Sequence, residues 1–284
     1  MNISAYSRLM RFHKPAGIAL LWLPTAWALW VANHGFPPFH LLIYFILGTI
    51  FMRAAGCVVN DIADRHIDLH VKRTKARPLT SGEITLIEAL TLLFMLLFAS
   101  LLILLQLPIS CFYYAVFALL ITLLYPFCKR FFQAPQLILG LAFSMGIPMA
   151  YVASGVAFNT TMVLLFVINF IWIVAYDTMY AMADREDDLK IGVKSTAILF
   201  GSHDRQLLFI LQTVFHGLWI IIAQNQHYSA WFYILWACAT GVLFYQQHLI
   251  RTRNPILCLR AFSTNSLYGL LMWFALILEQ YIKI

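Results

Sequence analysis

The chain has 284 residues, of which 62% are hydrophobic and 11% charged, with a net charge of +7. A soluble domain carries about 25% charged residues, so this composition excludes an ordinary soluble protein. The positive balance needs no nucleic acid to explain it; it follows the membrane orientation derived below and suits an anionic lipid surface or substrate.

Spanning a bilayer takes roughly 20 apolar residues. Nine stretches qualify, near 16–33, 41–59, 89–107, 110–127, 136–153, 162–181, 207–223, 230–247 and 262–281. They lack the alternation of barrel strands, so helices are expected. The first follows Arg8, Arg11 and Lys14, and Ala26-Trp27-Ala28 imitates a signal-peptide cleavage site. The apolar run continues to Ala32 and other spans follow, so it reads as a retained helix. The chain is thus expected to be an all-α integral membrane protein with a single membrane-embedded domain over 1–284. The five cysteines form no C-x-x-C pair and read as buried apolar residues.

Charge placement sets the expected orientation. The connections after spans 1, 3, 5 and 7 hold no Lys, Arg, Asp or Glu. All Lys and Arg except Lys283 fall at or near the opposite face. The positive-inside rule then puts the N-terminus and both long polar connections, 60–88 and 182–206, in the cytoplasm. The C-terminus would be periplasmic, in a bacterial inner membrane.

Each of those connections carries an acidic cluster. The first is Asn60-Asp61-Ile62-Ala63-Asp64-Arg65-His66-Ile67-Asp68, and the second is Asp184-Arg185-Glu186-Asp187-Asp188. With three carboxylates in the first and four in the second, they hold seven of the twelve in the chain. Carboxylates beside a bilayer are costly and tend to be functional. Asn60, Asp64 and Asp68 recur every four residues, so a helix continuing from the second span would place them on one face. Asp184 and Asp188 share that spacing beyond the sixth span. Mg²⁺ is usually held by one or two carboxylates together with phosphate oxygens and water. Two such helix ends could clamp Mg²⁺ and a diphosphate, with Lys72, Arg73, Lys75, Arg77, Lys190 and Lys194 neutralising the rest. His66 and His70 could suggest zinc, but their Asn and Asp companions make a hard-metal site. The two connections also echo each other, since D-x-x-x-D is followed by Lys72-Arg73-Thr74 and Ser81-Gly82 in one and by Lys194-Ser195-Thr196 and Phe200-Gly201 in the other. Gly82 and Gly201 are each expected to end a short amphipathic segment over the site.

These motifs carry a resemblance. Asn60-Asp61-x-x-Asp64-x-x-x-Asp68 followed by Arg73-Thr74-x-x-Arg77-Pro78-Leu79 resembles the first signature of the UbiA family of intramembrane prenyltransferases. Tyr176-Asp177-Thr178-x-Tyr180-Ala181-x-x-Asp184-Arg185-x-Asp187-Asp188-x-Lys190-Ile191-Gly192-x-Lys194-Ser195-Thr196 resembles the second, in the form of its 4-hydroxybenzoate branch. The resemblance runs from Arg11-x-x-Lys14-Pro15 to the C-terminus. It implies nine helices around a central cavity. It also implies Mg²⁺-dependent transfer of a polyprenyl group from its diphosphate to 4-hydroxybenzoate, ortho to the phenol, in ubiquinone synthesis. Asn60, Asp64, Asp184 and Asp188 would hold metal and diphosphate, supported by Asp61, Asp68 and Asp187. The isoprenoid tail is lipid-soluble, so the site should open towards membrane lipid.

Six residues stand between structural and functional readings. Arg53 and Asp177 each lie seven residues before their cluster, about 10 Å deeper by helix rise. They either pair with each other, or Arg53 holds the acceptor carboxylate while Asp177 orients it or takes a proton. Lys129 and Arg130 either mark the end of the fourth span or help hold diphosphate. Arg11 and Lys14 divide the same way, with topology the simpler reading. Rival readings are another acceptor (haem, a naphthoate or a chlorophyllide), a CDP-alcohol phosphotransferase, whose D-G-x-x-A-R opening is missing, and a cation-coupled transporter. A transporter favours midplane acids and broken helices, whereas here only Asp177 lies deep.

Overall fold

A computed structural model describes residues 3–71 and 74–282. Lys72, Arg73 and Lys283 lie outside the described residues. A short amphipathic helix, α1 (Ile3–Leu9), precedes the first long one. The long elements are α2 (Ala16–Ala32), α3 (Phe39–Asp64), α4 (Leu86–Leu104), α5 (Ile109–Cys128), α6 (Pro135–Ser144) and α7 (Gly146–Ala153). They continue with α8 (Thr160–Ile191), the one-turn α9 (Thr196–Phe200), α10 (Asp204–Asn225), α11 (Ala230–Leu249) and α12 (Pro255–Ile282). Every expected apolar stretch is helical, because lipid leaves the backbone no partner but itself. Among the described residues seven helical segments are long and apolar enough to cross a membrane, and α2, at 17 residues, is shorter. The chain is an integral membrane protein.

Local chemistry fixes the ends. Thr85 and Glu88 form a capping box that starts α4. Asn159, Ser195 and Ser229 cap α8, α9 and α11 through side-chain oxygens. Gly192, with φ 73°, ends α8 in the left-handed region.

The structure departs from the sequence expectations in three places. The stretch 136–153 is not one helix but breaks into α6 and α7 at Met145. Gly146 there lies so close to Thr25 of α2 that a Cβ would overlap its hydroxyl, so the kink seats α7 directly on α2. The helix carrying Asn60 and Asp64 stops at Asp64, and Asp68 opens a separate 3₁₀ turn. The bend is held by Arg77, which grips Asp61 and Asp68 together, and by the Thr74 hydroxyl, which donates to the Asp68 carbonyl. Among the described residues before Gly82 the connection forms turns rather than an amphipathic helix, whereas α9 does precede Gly201.

The core is an aromatic block. Trp27, Trp172, Trp219 and Tyr268 are fully buried. Trp27 stands 5.0 Å from Trp172 and 5.2 Å from Trp219 between ring centroids. Such pairs add about 0.5–1.5 kcal/mol beyond their burial. Two of the indole nitrogens are satisfied across helices: Trp27 donates to the Gly269 carbonyl and Trp172 to Asn265. This block ties α2, α8, α10 and α12 together on one side of the bundle. On the other side, α1 lays Ala5 and Leu9 against Ala54, Ala55 and Val58 of α3.

Candidate active site

A cavity of about 530 Å³ opens among α2, α3, α5, α6, α8 and α12, at the end of the bundle that carries both polar connections. Asn60 and Asp64 reach it from the last turns of α3, and Asp68 from the following turn. Asp184 and Asp188 reach it from one face of α8. Residues separated by more than a hundred positions thus line one space, because α3 and α8 both run past the apolar bundle at the same end.

Cations ring these donors. Lys129, the residue that ends α5, points its Nζ at Asn60 Oδ1 (3.3 Å) and Asp64 Oδ2 (3.4 Å). Its backbone carbonyl accepts from the Lys194 amide at 2.8 Å, which ties the second connection to the end of α5. Lys194, Arg77, Arg11 and Lys14 also line the cavity. Burial pushes the Asp68 carboxyl above the usual carboxylate range, opposed by the Arg77 guanidinium.

Several candidates lie elsewhere. Asp61 is fully buried beneath the first connection, where Arg11 (2.5 Å) and Arg77 (3.0 Å) both hold it. It therefore anchors two cavity-lining arginines and is not itself a cavity wall. Asp187 and Lys190 turn outward and pair with each other at 3.6 Å. Arg130 donates to the Ala63 carbonyl at 3.1 Å, closing the end of α3.

Deeper in, Arg53 and Asp177 both line the cavity. They form no ion pair within 4.0 Å. Among the described residues no hydrogen bond or ion pair engages the Arg53 guanidinium. It lies instead across α2 at Gly17, where a Cβ would stand 2.6 Å from Nη2 and 2.8 Å from Nε. The walls also carry Tyr125, Phe143, Tyr176, Tyr180 and Phe262.

Among the described residues no three His, Cys, Asp or Glu side chains converge as a ready-made metal cage. The donor set is nevertheless oxygen-only and comes from two facing helices, which fits a hard cation whose coordination is completed by substrate phosphate and water. It does not fit zinc, which prefers nitrogen and sulfur.

Sequence reasoning missed the clasp that holds α8 in place. Asp204, fully buried at the start of α10, receives Arg185 (2.9 Å) and Arg253 (2.8 Å). Arg185 also reaches the Ala197 and Gly201 carbonyls, so α9 is fastened to the segment bearing Asp184 and Asp188. Removing one partner of a buried ion pair typically costs about 3–5 kcal/mol. Asp204→Ala is therefore expected to lose most of its folded yield, read as the melting temperature of the detergent-solubilised protein. An unchanged melting temperature would show the clasp to be dispensable.

Residues 21–276 match the UbiA prenyltransferase family. The chain belongs to the UbiA prenyltransferase family. A 4-hydroxybenzoate octaprenyltransferase of Legionella pneumophila (strain Lens) is 63% identical over 272 residues, 96% of each chain. The enzyme of that name from Coxiella burnetii (strain CbuK_Q154) is 45% identical, covering 98% of this chain and 96% of its own. The fold of the UbiA prenyltransferases is shared with solved structures. An apo UbiA homologue from Aeropyrum pernix K1 superposes with a TM-score of 0.79 at 21% identity, covering 92% of this chain and 97% of that one. A homologue from Archaeoglobus fulgidus, bound to GPP and Mg²⁺, gives 0.73 at 21% identity, covering 96% and 99%.

Proposed function

We propose that this UbiA-family enzyme transfers a polyprenyl group from its diphosphate to the ring carbon of 4-hydroxybenzoate ortho to the phenol, in ubiquinone synthesis, with Mg²⁺ as cofactor. One observation carries the reading. A single cavity holds oxygen donors and cations at its mouth, aromatic walls below them and an uncommitted arginine at depth. The relatives at 63% and 45% identity support the choice of acceptor.

Asn60, Asp64, Asp184 and Asp188 would hold the metal, and Lys129, Lys194, Arg77 and Lys14 the diphosphate oxygens. Mg²⁺, when bound, supplies stabilisation of the charge on the departing diphosphate. The allylic C–O bond breaks with its electron pair leaving on the diphosphate. The faces of Tyr125, Tyr176, Tyr180 and Phe262 stabilise the allylic cation and keep water from it. Arg53 binds the acceptor carboxylate and presents the electron-rich ring. Asp177, at the same depth on α8, is available to orient the acceptor or take up the displaced ring proton. A C–C bond forms and aromaticity returns when that proton leaves. Membranes holding the enzyme, incubated with 4-hydroxybenzoate, a polyprenyl diphosphate and Mg²⁺, should yield the prenylated acid by mass spectrometry. Prenylation of a naphthoate or of haem alone would overturn the assignment.

The proposed location is the bacterial inner membrane, with both acidic connections cytoplasmic and the C-terminus periplasmic. With the native cysteines replaced, a cysteine at exposed Lys190 should resist an impermeant thiol reagent applied from the periplasm, while one at exposed Asn225 should react. The reverse labelling pattern would refute the orientation.

A further inference from the structure

Buried polar atoms in folded proteins are nearly always hydrogen-bonded, because burying one without a partner is costly. Among the described residues the exceptions are scattered through the bundle, and only one of them belongs to a residue on the wall of the polar cavity: the Tyr176 hydroxyl. An orphaned donor in such a place is explained when its partner arrives with the ligand.

The hydroxyl is held where it is by packing. Tyr176 is 2% exposed. Its ring meets Trp172 edge-on at 5.4 Å between centroids and Phe262 of α12 at 5.7 Å. Trp172 is itself fixed by its hydrogen bond to Asn265. Tyr176 is the chain neighbour of Asp177, and the charges acting on its hydroxyl are those of Asp177 and Arg53. The deep part of the cavity thus has two uncommitted donors, the Arg53 guanidinium and the Tyr176 hydroxyl.

Two donors call for a group that only accepts and has more than one oxygen, which describes a carboxylate. The phenol of a para acid points the other way, towards the diphosphate, because its ortho carbon has to meet the allylic carbon. A neutral second donor also suits the reaction. Arg53 and a carboxylate cancel, whereas a second cation would leave excess positive charge in a low-dielectric space shared with the allylic cation.

We propose that the Tyr176 hydroxyl is the second donor to the acceptor carboxylate, beside Arg53, and a specificity-determining group for aromatic acids. This rests on the acceptor reading above. A site with buried donors rejects a ligand that leaves them unpaired, so Tyr176 discriminates against acceptors that lack the acid group.

The test uses the full-length enzyme in detergent and Tyr176→Phe, which removes one oxygen and keeps the ring and its packing. Benzoate and phenol, each carrying one half of the acceptor's polar groups, serve as binding probes in isothermal titration calorimetry. The variant should bind benzoate about tenfold more weakly, as expected for loss of a hydrogen bond to a charged group, and phenol as the parent does. In turnover the KM for 4-hydroxybenzoate should rise by a similar factor, with the KM for prenyl diphosphate within about twofold. The melting temperature should not fall, since no hydrogen bond within the protein is lost. Tyr151→Phe is the control. Its hydroxyl on α7 is equally buried and orphaned but lies outside the cavity, so benzoate affinity should stay at the parental value. Unchanged benzoate affinity in Tyr176→Phe overturns the proposal, as does weakened binding of phenol in place of benzoate. An equal loss in Tyr151→Phe, or a lowered melting temperature with every constant changed, also overturns it by making the effect structural. Absence of prenylated 4-hydroxybenzoate from the unaltered enzyme, with benzoate binding still dependent on Tyr176, is the separate failure of the acceptor reading.

Discussion

Asp64→Ala and Asp184→Ala should each reduce prenyl transfer by about three orders of magnitude, because a metal clamp on a leaving group supplies several kcal/mol of transition-state stabilisation. The two residues reach one cavity from different helices, α3 and α8, so neither can replace the other. Asp184→Ala should keep a melting temperature near that of the parent, since it removes a part-exposed carboxylate at the polar cavity, whereas Asp64→Ala also removes the ion-pair partner of Lys129 and should lower it modestly. In the parent, chelation with EDTA should abolish turnover and added Mg²⁺ should restore it. Near-parental turnover by either variant would remove that residue from the metal site. Lys129 sharpens the expectation. Its Nζ lies 3.4 Å from Asp64, so the alanine variant also frees a cation that the parent holds in place. A weaker apparent affinity for prenyl diphosphate should accompany the loss of rate.

Arg53→Ala is the second large effect expected. Loss of a charge-assisted, buried contact to a carboxylate costs about 2–5 kcal/mol, so the acceptor KM should rise about 30-fold or more while the KM for prenyl diphosphate stays within about twofold. Arg53 and Asp177 form no direct ion pair within 4.0 Å, so a role for Arg53 in stabilising Asp177 would act through space rather than contact, and kinetics separate the two accounts. A purely structural arginine would lose folded protein on truncation and leave the acceptor KM of the survivors unchanged. Decarboxylated acceptors separate the cases further. Phenol should be as poor a substrate for Arg53→Ala as for the parent, since it has no carboxylate for the arginine to recognise.

The helices and the meeting of the two acidic clusters were legible because both follow from strong local rules. Long apolar runs without strand alternation are helices in lipid, and carboxylates at two helix ends at the same end of the bundle can share one space. Spacing alone did not tell which member of a cluster faces inward. Asp61 and Asp64 are three residues apart, close enough to share a helical face, yet Asp61 is claimed by Arg11 and Arg77 and Asp64 is left to the cavity. That outcome depends on a connection folding back from sixteen residues downstream, which no periodicity encodes. Asp187 and Lys190 were misleading for a simpler reason, since a pair three residues apart on an exposed helical face satisfies itself. The Arg185–Asp204–Arg253 clasp joins the ends of three helices and leaves no motif. Arg11 and Lys14 looked like topology signals because a charge before the first span serves that purpose wherever it points.

The bare backbone of α2 beneath Arg53 makes position and charge separable properties of that residue. Arginine is long and flexible, and its terminal plane is aimed here by what it rests on rather than by a partner it holds. A single methyl added at Gly17 would leave the charge intact but force the guanidinium to move by roughly an ångström to reach normal contact distance. If Arg53 holds the acceptor carboxylate as proposed, α2 would act as a depth gauge for the acceptor. Re-gauging it with alanine would shift the preference among aromatic acids according to how far the carboxylate stands from the ring, with every side chain that touches substrate unchanged.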